Sequence, residues 1–236
     1  NWLYDMLAEV LAAGEEYGRI ALRHSERIQV EFVSANPTGP LHVGHGRGAA
    51  VGSALANLLK AAGYDVQTEF YINDAGNQID NLAASVNARY LELLGQAVEF
   101  PEDGYHGSDI IDTARRIIDH YGEKYLELPA AERLAAFKEL ALREKLAALK
   151  EDLEAFGVVF DEWYSERTLH DSGAIGDTCA KLKASGNMYD KDGALWLRST
   201  TYGDDKDRVV IRENGVPTYL AADIAYHYDK FQRCFD

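Results

Sequence analysis

Arg27-Ile28-Gln29-Val30-Glu31-Phe32-Val33-Ser34-Ala35-Asn36-Pro37-Thr38-Gly39-Pro40-Leu41-His42-Val43-Gly44-His45 is the stretch whose reading decides the fold. Residues 27–34 alternate in polarity and are rich in β-branched and aromatic side chains, which predicts a strand. Asn36-Pro37-Thr38-Gly39-Pro40 breaks that pattern with turn-forming residues. From His42 to Ala62 small and apolar residues recur at helical spacing until Gly63, and Asp65 to Ile72 is again strand-like. Strand, helix and strand in this order make a βαβ unit with parallel strands. An α/β fold follows, a Rossmann-like doubly wound parallel sheet whose ligands sit at the carboxyl ends of the strands.

Working outward, Leu3 to Leu22 has apolar residues at helical spacing interrupted by Gly14 and Gly18, so residues 1–25 read as an N-terminal helical attachment to a partial catalytic domain over 26–236. Downstream, helices are predicted over Asn73 to Leu94, Asp109 to Tyr121 and Ala130 to Phe156, with a loop around Pro101, Gly104 and Gly107. They define a helical insertion at about 77–145, after which Val158 to Tyr164 returns to the sheet as a strand. A helix over His170 to Ser185 follows. Met188 to Leu197 and Arg208 to Tyr219 are strand-like around Asp192-Gly193 and Asn214-Gly215, dipeptides suited to two-residue hairpin turns, and predict a small antiparallel β-hairpin insertion at about 187–217. Ala221 to Phe231 closes the chain as a helix.

With 236 residues, 47% of them hydrophobic and 27% charged, the chain can bury a sizeable core and has no apolar run long enough to span a membrane. The start Asn1-Trp2-Leu3 carries neither a basic leader nor an apolar signal segment and is not a Met, which predicts a cytoplasmic protein represented by a piece of a longer chain. Cys179 and Cys234 have no metal-type spacing and read as reduced, incidental thiols. The net charge of −15 excludes a broad nucleic-acid-binding face and argues against DNA as a partner.

A helix that opens at His42-Val43-Gly44-His45 directly after a strand and loop aims its free N–H groups and the positive end of its dipole at the crevice, where a phosphate would sit. Gly44 lets a flat base or sugar approach the backbone, and His42 and His45 project from one face as donors able to stabilise charge on a phosphoryl group under attack. Alone, the motif leaves open ordinary cap residues or a partial metal site. No Glu or Asp flanks the two histidines as a third ligand, so no metal site is assigned to the chain.

Glu31 to Arg47 resembles the signature region of bacterial arginyl-tRNA synthetases, class I aminoacyl-tRNA synthetases. The similarity continues through Tyr71-Ile72-Asn73-Asp74-Ala75-Gly76-Asn77-Gln78, Phe156-Gly157-Val158, Asp192-Gly193-Ala194-Leu195-Trp196-Leu197, Gly203 to Arg208 and Thr218 to His227. It implies a class I synthetase core in which His42, Gly44 and His45 bind ATP, with His42 and His45 catalytic. It also implies that Glu31, Tyr219 and Asp223 hold the guanidinium of L-arginine while Asn36 and His42 hold its polar end. A planar guanidinium is matched by paired carboxylates beside an aromatic or hydroxyl group, and Asp223 falls one turn after Tyr219. Taken singly, Glu31 reads equally as a solvent-facing strand residue, Asn36 as a turn former, Tyr219 as core and Asp223 as a helix cap.

The implied reaction is attack of the arginine carboxylate on the α-phosphorus of ATP, assisted by Mg²⁺, then transfer to the terminal adenosine of tRNA(Arg), with the tRNA required already for the first step. Relatives of this kind continue past Asp236 with more sheet, a second ATP-contacting loop and an RNA-binding helical domain. This chain is therefore expected to carry the arginine pocket and half of the ATP site, and not to charge tRNA alone. The remaining alternatives are an adenylyl-transferring enzyme that uses the same His-x-Gly-His helix start, and a non-catalytic synthetase-like paralogue.

Overall fold

The computed structural model describes residues 2–19 and 25–235. Its centre is a parallel sheet in the order β1-β2-β3, made of Arg27–Glu31, Asp65–Ile72 and Glu162–Ser165. Helix α2 (Val43–Ala61) makes the crossover from β1 to β2, as the sequence predicts. The expected N-terminal attachment is helix α1 (Trp2–Ala13) followed by a 3₁₀ turn at Gly14–Glu16, and its last residues, 20–22, lie outside the described ones.

Side chains alternate across the sheet. Val30, Val66, Phe70, Ile72 and Trp163 pack on one face beneath α2 and the C-terminal half of α5 (Ala130–Ala155), where Leu149 and Leu153 are buried. Phe32 lies against α2 so closely that a Cβ on Gly52 would overlap its ring. The opposite face carries Gln29, Glu31, Glu69, Tyr71 and Tyr164, an unusually polar set for a covered sheet. Helix α8 (Tyr219–Gln232) covers it.

What makes that polar face tolerable is a set of ion pairs. Glu31 and Glu69 stand opposite one another in the β1–β2 register, a like-charge arrangement that costs stability by itself. Glu69 is fully buried and accepts from Tyr226 Oη at 2.5 Å, from Arg233 Nη1 and Nη2 at 2.6 and 3.1 Å, and from Gln29 Nε2 at 3.0 Å. Lys230 Nζ bridges the two acids, 2.6 Å from Glu31 and 3.7 Å from Glu69. Tyr219, Asp223, Tyr226, Lys230 and Arg233 recur three or four residues apart, so one stripe of α8 carries both the anchors and the candidate site residues.

Three departures from the sequence pattern have local causes. The strand predicted to Ser34 stops at Glu31, because Val33 and Ser34 take left-handed φ values of 65° and 41° and the Ser34 hydroxyl, not a carbonyl, receives the Tyr71 N–H at 3.1 Å. The strand predicted over Val158 to Tyr164 is displaced to Glu162–Ser165, since Asp161 turns its carboxylate to the N–H and hydroxyl of Thr68, at 2.8 and 2.9 Å. The helix predicted over His170 to Ser185 is two helices, α6 (Arg167–Asp171) and α7 (Ala174–Ala184), broken at Gly173 with φ 75°.

The second sheet is antiparallel, β4 (Met188–Lys191), β5 (Ala194–Leu197) and β6 (Arg208–Ile211). Asp192 and Gly193 both have positive φ, 52° and 75°, as a two-residue hairpin turn requires. Asn214-Gly215 differs. There Gly215 donates to Arg212 O and Arg212 to Val216 O, giving a three-residue loop in which only Gly215, at 78°, is left-handed. Tyr219 begins α8 and does not end a strand.

Helices α3 (Asn77–Leu93) and α4 (Ser108–Tyr121) pack with the N-terminal half of α5 around a core of their own, including Leu82, Tyr90, Ile110 and Phe137. The first turn of α3 starts later than the predicted Asn73, because Asn73 to Gly76 forms the loop at the carboxyl end of β2.

Replacing Glu69 by Ala leaves Arg233, Lys230 and the Tyr226 hydroxyl facing each other without their acceptor. A loss of about 3–5 kcal/mol in folding stability is expected, measured by denaturant unfolding.

Candidate active site

The turn from β1 to α2 is set by its histidines. His42 occupies the N-cap with extended backbone, and its Nδ1 accepts the Gly44 N–H at 3.1 Å. His45 Nδ1 accepts the His42 N–H at 3.2 Å in return, a reciprocal cap in which imidazoles replace the usual Ser/Glu pair. The rings stack with centroids 3.7 Å apart. Both Nδ1 atoms being acceptors, the neutral rings carry their proton on Nε2, and both Nε2–H groups remain free to donate outward. A Cβ on Gly44 would press on the His42 ring at 2.9 Å, so glycine here preserves the ring's position.

The end of β1 and the start of α8 supply the acidic candidates. Glu31, at the carboxyl end of β1, accepts from Ser34 Oγ at 3.0 Å on one oxygen and from Lys230 on the other. Asp223, one turn into α8, has its carboxyl pKa raised, by burial first and by the charge of Glu31 among its neighbours, with His227 opposing. The two carboxylates therefore share one electrostatic environment. Asp223 also borders an apolar cavity of about 460 Å³ between α7 and α8, lined by Leu182, Leu220 and Ile224.

Tyr219 is exposed and lines a different cavity, of about 180 Å³, with Glu166, His170, Gly76 and Thr218. Glu166 is buried there. It accepts the Tyr71 hydroxyl at 2.8 Å and lies 3.3 Å from His170 Nε2. Burial and this carboxylate push the Tyr71 phenol far above its ordinary range, and Asp223 contributes in the same direction. Tyr71 thus bonds to a residue that lines the cavity of Tyr219 and lies in the field of Asp223. Asn36 sits exposed in the loop, its carbonyl accepting the Thr38 N–H at 2.8 Å.

The sequence pattern did not single out Tyr71, Glu166 or Lys230. Tyr71 and Glu166 lie at the carboxyl ends of β2 and β3, where parallel sheets of this kind place their ligands. Among the described residues no group of three His, Cys, Asp or Glu side chains could hold a metal ion, and no helix is long and apolar enough to cross a membrane.

The profile for tRNA synthetases class I (R), catalytic domain, matches residues 6–235. The chain belongs to this arginyl-tRNA synthetase family. It is 57% identical over its whole length to the arginine–tRNA ligase of Carboxydothermus hydrogenoformans and 54% identical to that of Bacillus subtilis, in each case covering 42% of the relative. Among solved structures it matches one assigned to a Campylobacter jejuni arginyl-tRNA synthetase, with TM-score 0.90 and 38% identity over 99% of this chain and 51% of that one. The Thermus thermophilus arginyl-tRNA synthetase matches with TM-score 0.62 and 28% identity, over 87% of this chain and 36% of that one. The chain thus spans less than half the length of these curated relatives. A class I synthetase catalytic domain uses ATP, which fits a helix start presenting donors at the sheet's carboxyl edge.

Burial and the neighbouring His42 lower the His45 pKa below 6.5, so the folded state favours the neutral ring. The stability this cap contributes is complete above pH 6.5 and is lost as pH falls through the lowered folded value. An NMR titration should find the Nε2–H tautomer in both rings at pH 8, and fraying of the α2 N-terminus on acidification.

Proposed function

We propose that this chain is the part of an arginine–tRNA ligase that binds L-arginine and presents it to ATP. The observation that carries the reading is the pairing of Glu31, at the end of β1, with Asp223 of α8, whose carboxyl feels the Glu31 charge, in a chain that runs on from β1 into a histidine-capped helix start. In this reading the guanidinium lies toward Glu31, Asp223 and Tyr219, with the Tyr71–Glu166 pair beside them, and Asn36 and His42 hold the α-amino and α-carboxylate groups.

The arginine carboxylate then attacks the α-phosphorus of ATP. A new P–O bond forms as the bond to pyrophosphate breaks, giving arginyl-adenylate, and a ribose hydroxyl of the terminal adenosine of tRNA(Arg) afterwards attacks the acyl carbon and releases AMP. The Nε2–H groups of His42 and His45 would donate to phosphate oxygens as charge accumulates on them, and Gly44 gives the nucleotide room against the backbone. Mg²⁺ would be carried on the phosphate oxygens, where it offsets their charge. The same reading makes residues 1–25 a helical attachment, about 77–145 a helical insertion and about 187–217 an antiparallel insertion, in a protein of the cytoplasm, where tRNA is charged.

In the longer protein, Asp223→Asn should raise KM for arginine by about 10–100-fold, the worth of one charged hydrogen-bonded contact, and leave KM for ATP in place. Pyrophosphate exchange in the presence of tRNA(Arg) reads both values. The 236-residue chain by itself should charge no tRNA(Arg); arginylation by it would refute the half-site reading.

A further inference from the structure

Lys230 is a cation seated directly on Glu31. Its Nζ lies 2.6 Å from Glu31 Oε2, 3.7 Å from Glu69 Oε1 and 4.2 Å above the Tyr226 ring, and its side chain is only 15% exposed. Glu31 is thus already paired with an ammonium, on a helix stripe that also carries Asp223, two turns earlier. We propose that Lys230 is a specificity residue: a resident ammonium on Glu31 that excludes amino acids ending in an ammonium and admits only a planar guanidinium. The proposal rests on the reading that Glu31 and Asp223 hold the substrate side chain.

An ionised carboxylate has about four lone-pair positions, and Lys230 and the Ser34 hydroxyl take one on each oxygen of Glu31. That leaves one position on each oxygen, a pair that a forked donor can take together. A guanidinium spreads one positive charge over three nitrogens and can donate to Glu31 and Asp223 together. A lysine or ornithine side chain brings a compact charge with one centre, which must approach Glu31 beside a second compact charge of the same sign. In a partly buried site that repulsion is only weakly screened. Selection here works by a repulsive element built against the wrong substrate as well as by attraction to the right one.

Lys230 also neutralises the facing pair Glu31 and Glu69, so a purely structural role must be separable from this one. It predicts that loss of Lys230 weakens arginine and lysine alike. The specificity role predicts a change in their ratio.

The test uses the longer, complete protein and two competitor amino acids, lysine and ornithine, against arginine in pyrophosphate exchange with tRNA(Arg) present. Lys230→Met should lower the preference for arginine over lysine and over ornithine by at least about tenfold, chiefly through tighter binding of the competitors. Lys230→Arg, which keeps the cation, should hold both competitors out. If Lys230→Met does not fold, Lys230→Gln carries the same expectation. An unchanged preference in the neutral variant, or an equal loss for all three amino acids, overturns the proposal. Should the unmodified protein fail to activate arginine at all, it is the functional reading that falls, and the two failures are distinguishable.

Discussion

A fully buried carboxylate, Glu69, holds the two halves of the candidate site in register. A charge without solvent is tolerated only when its partners are close and its lone pairs occupied, and Glu69 meets that condition with Tyr226, Arg233 and Gln29. Three of the groups around it, Tyr226, Lys230 and Arg233, come from α8. Apolar packing would hold the helix against the sheet with equal strength but would let it slide or rotate with smaller penalty. A set of directional bonds to one carboxylate admits a single register, and that register sets Asp223 in the field of Glu31 at the carboxyl edge of the strands.

The other half of the site depends on backbone strain. Val33, a β-branched residue, takes φ 65° directly before Ser34 at 41°, a conformation that costs on the order of 1–3 kcal/mol per residue. It is compensated locally: the Ser34 hydroxyl receives the Tyr71 N–H, in place of a ladder carbonyl, and donates to Glu31. Through this exit the chain leaves β1 and reaches α2 with His42 at the N-cap. One strained corner thus fixes the Glu31 carboxylate on one side and the histidine cap on the other.

The βαβ unit was legible in the sequence because it depends on local signals: alternation over 27–31, turn residues at 36–40, helical spacing after His42 and a clear glycine stop at Gly63. The Asp192-Gly193 hairpin was legible for the same reason, both residues tolerating left-handed backbone. What escaped were features decided by partners distant in sequence. Residues 158–161 are as strand-like as any in the chain, yet Asp161 spends its backbone and side chain on Thr68, 93 residues away. Glu69 within Thr68-Glu69-Phe70 gives no sign that Arg233, 164 residues on, will reach it. Of the site, residues belonging to continuous motifs could be named in advance. Glu166 and Lys230, which join it only through the packing of β3 and α8, could not.

A chain with net charge −15 can still present a locally positive site. The end of a helix contributes roughly half a positive charge from aligned peptide dipoles, and this acts over the first turn alone, so it survives in an acidic protein whose remaining charges are distant and screened. The histidines add donors there, because the mutual cap uses each Nδ1 as an acceptor and leaves each Nε2 to donate. At the end of β1 and on α8, Glu31 and Asp223 create a field of the opposite sign, offset by Lys230. On the proposed function these two fields would give a zwitterionic amino acid with a cationic side chain one favoured orientation, carboxylate toward the helix start and side chain toward the acids. That orientation is also the one the proposed attack on the α-phosphorus of ATP requires.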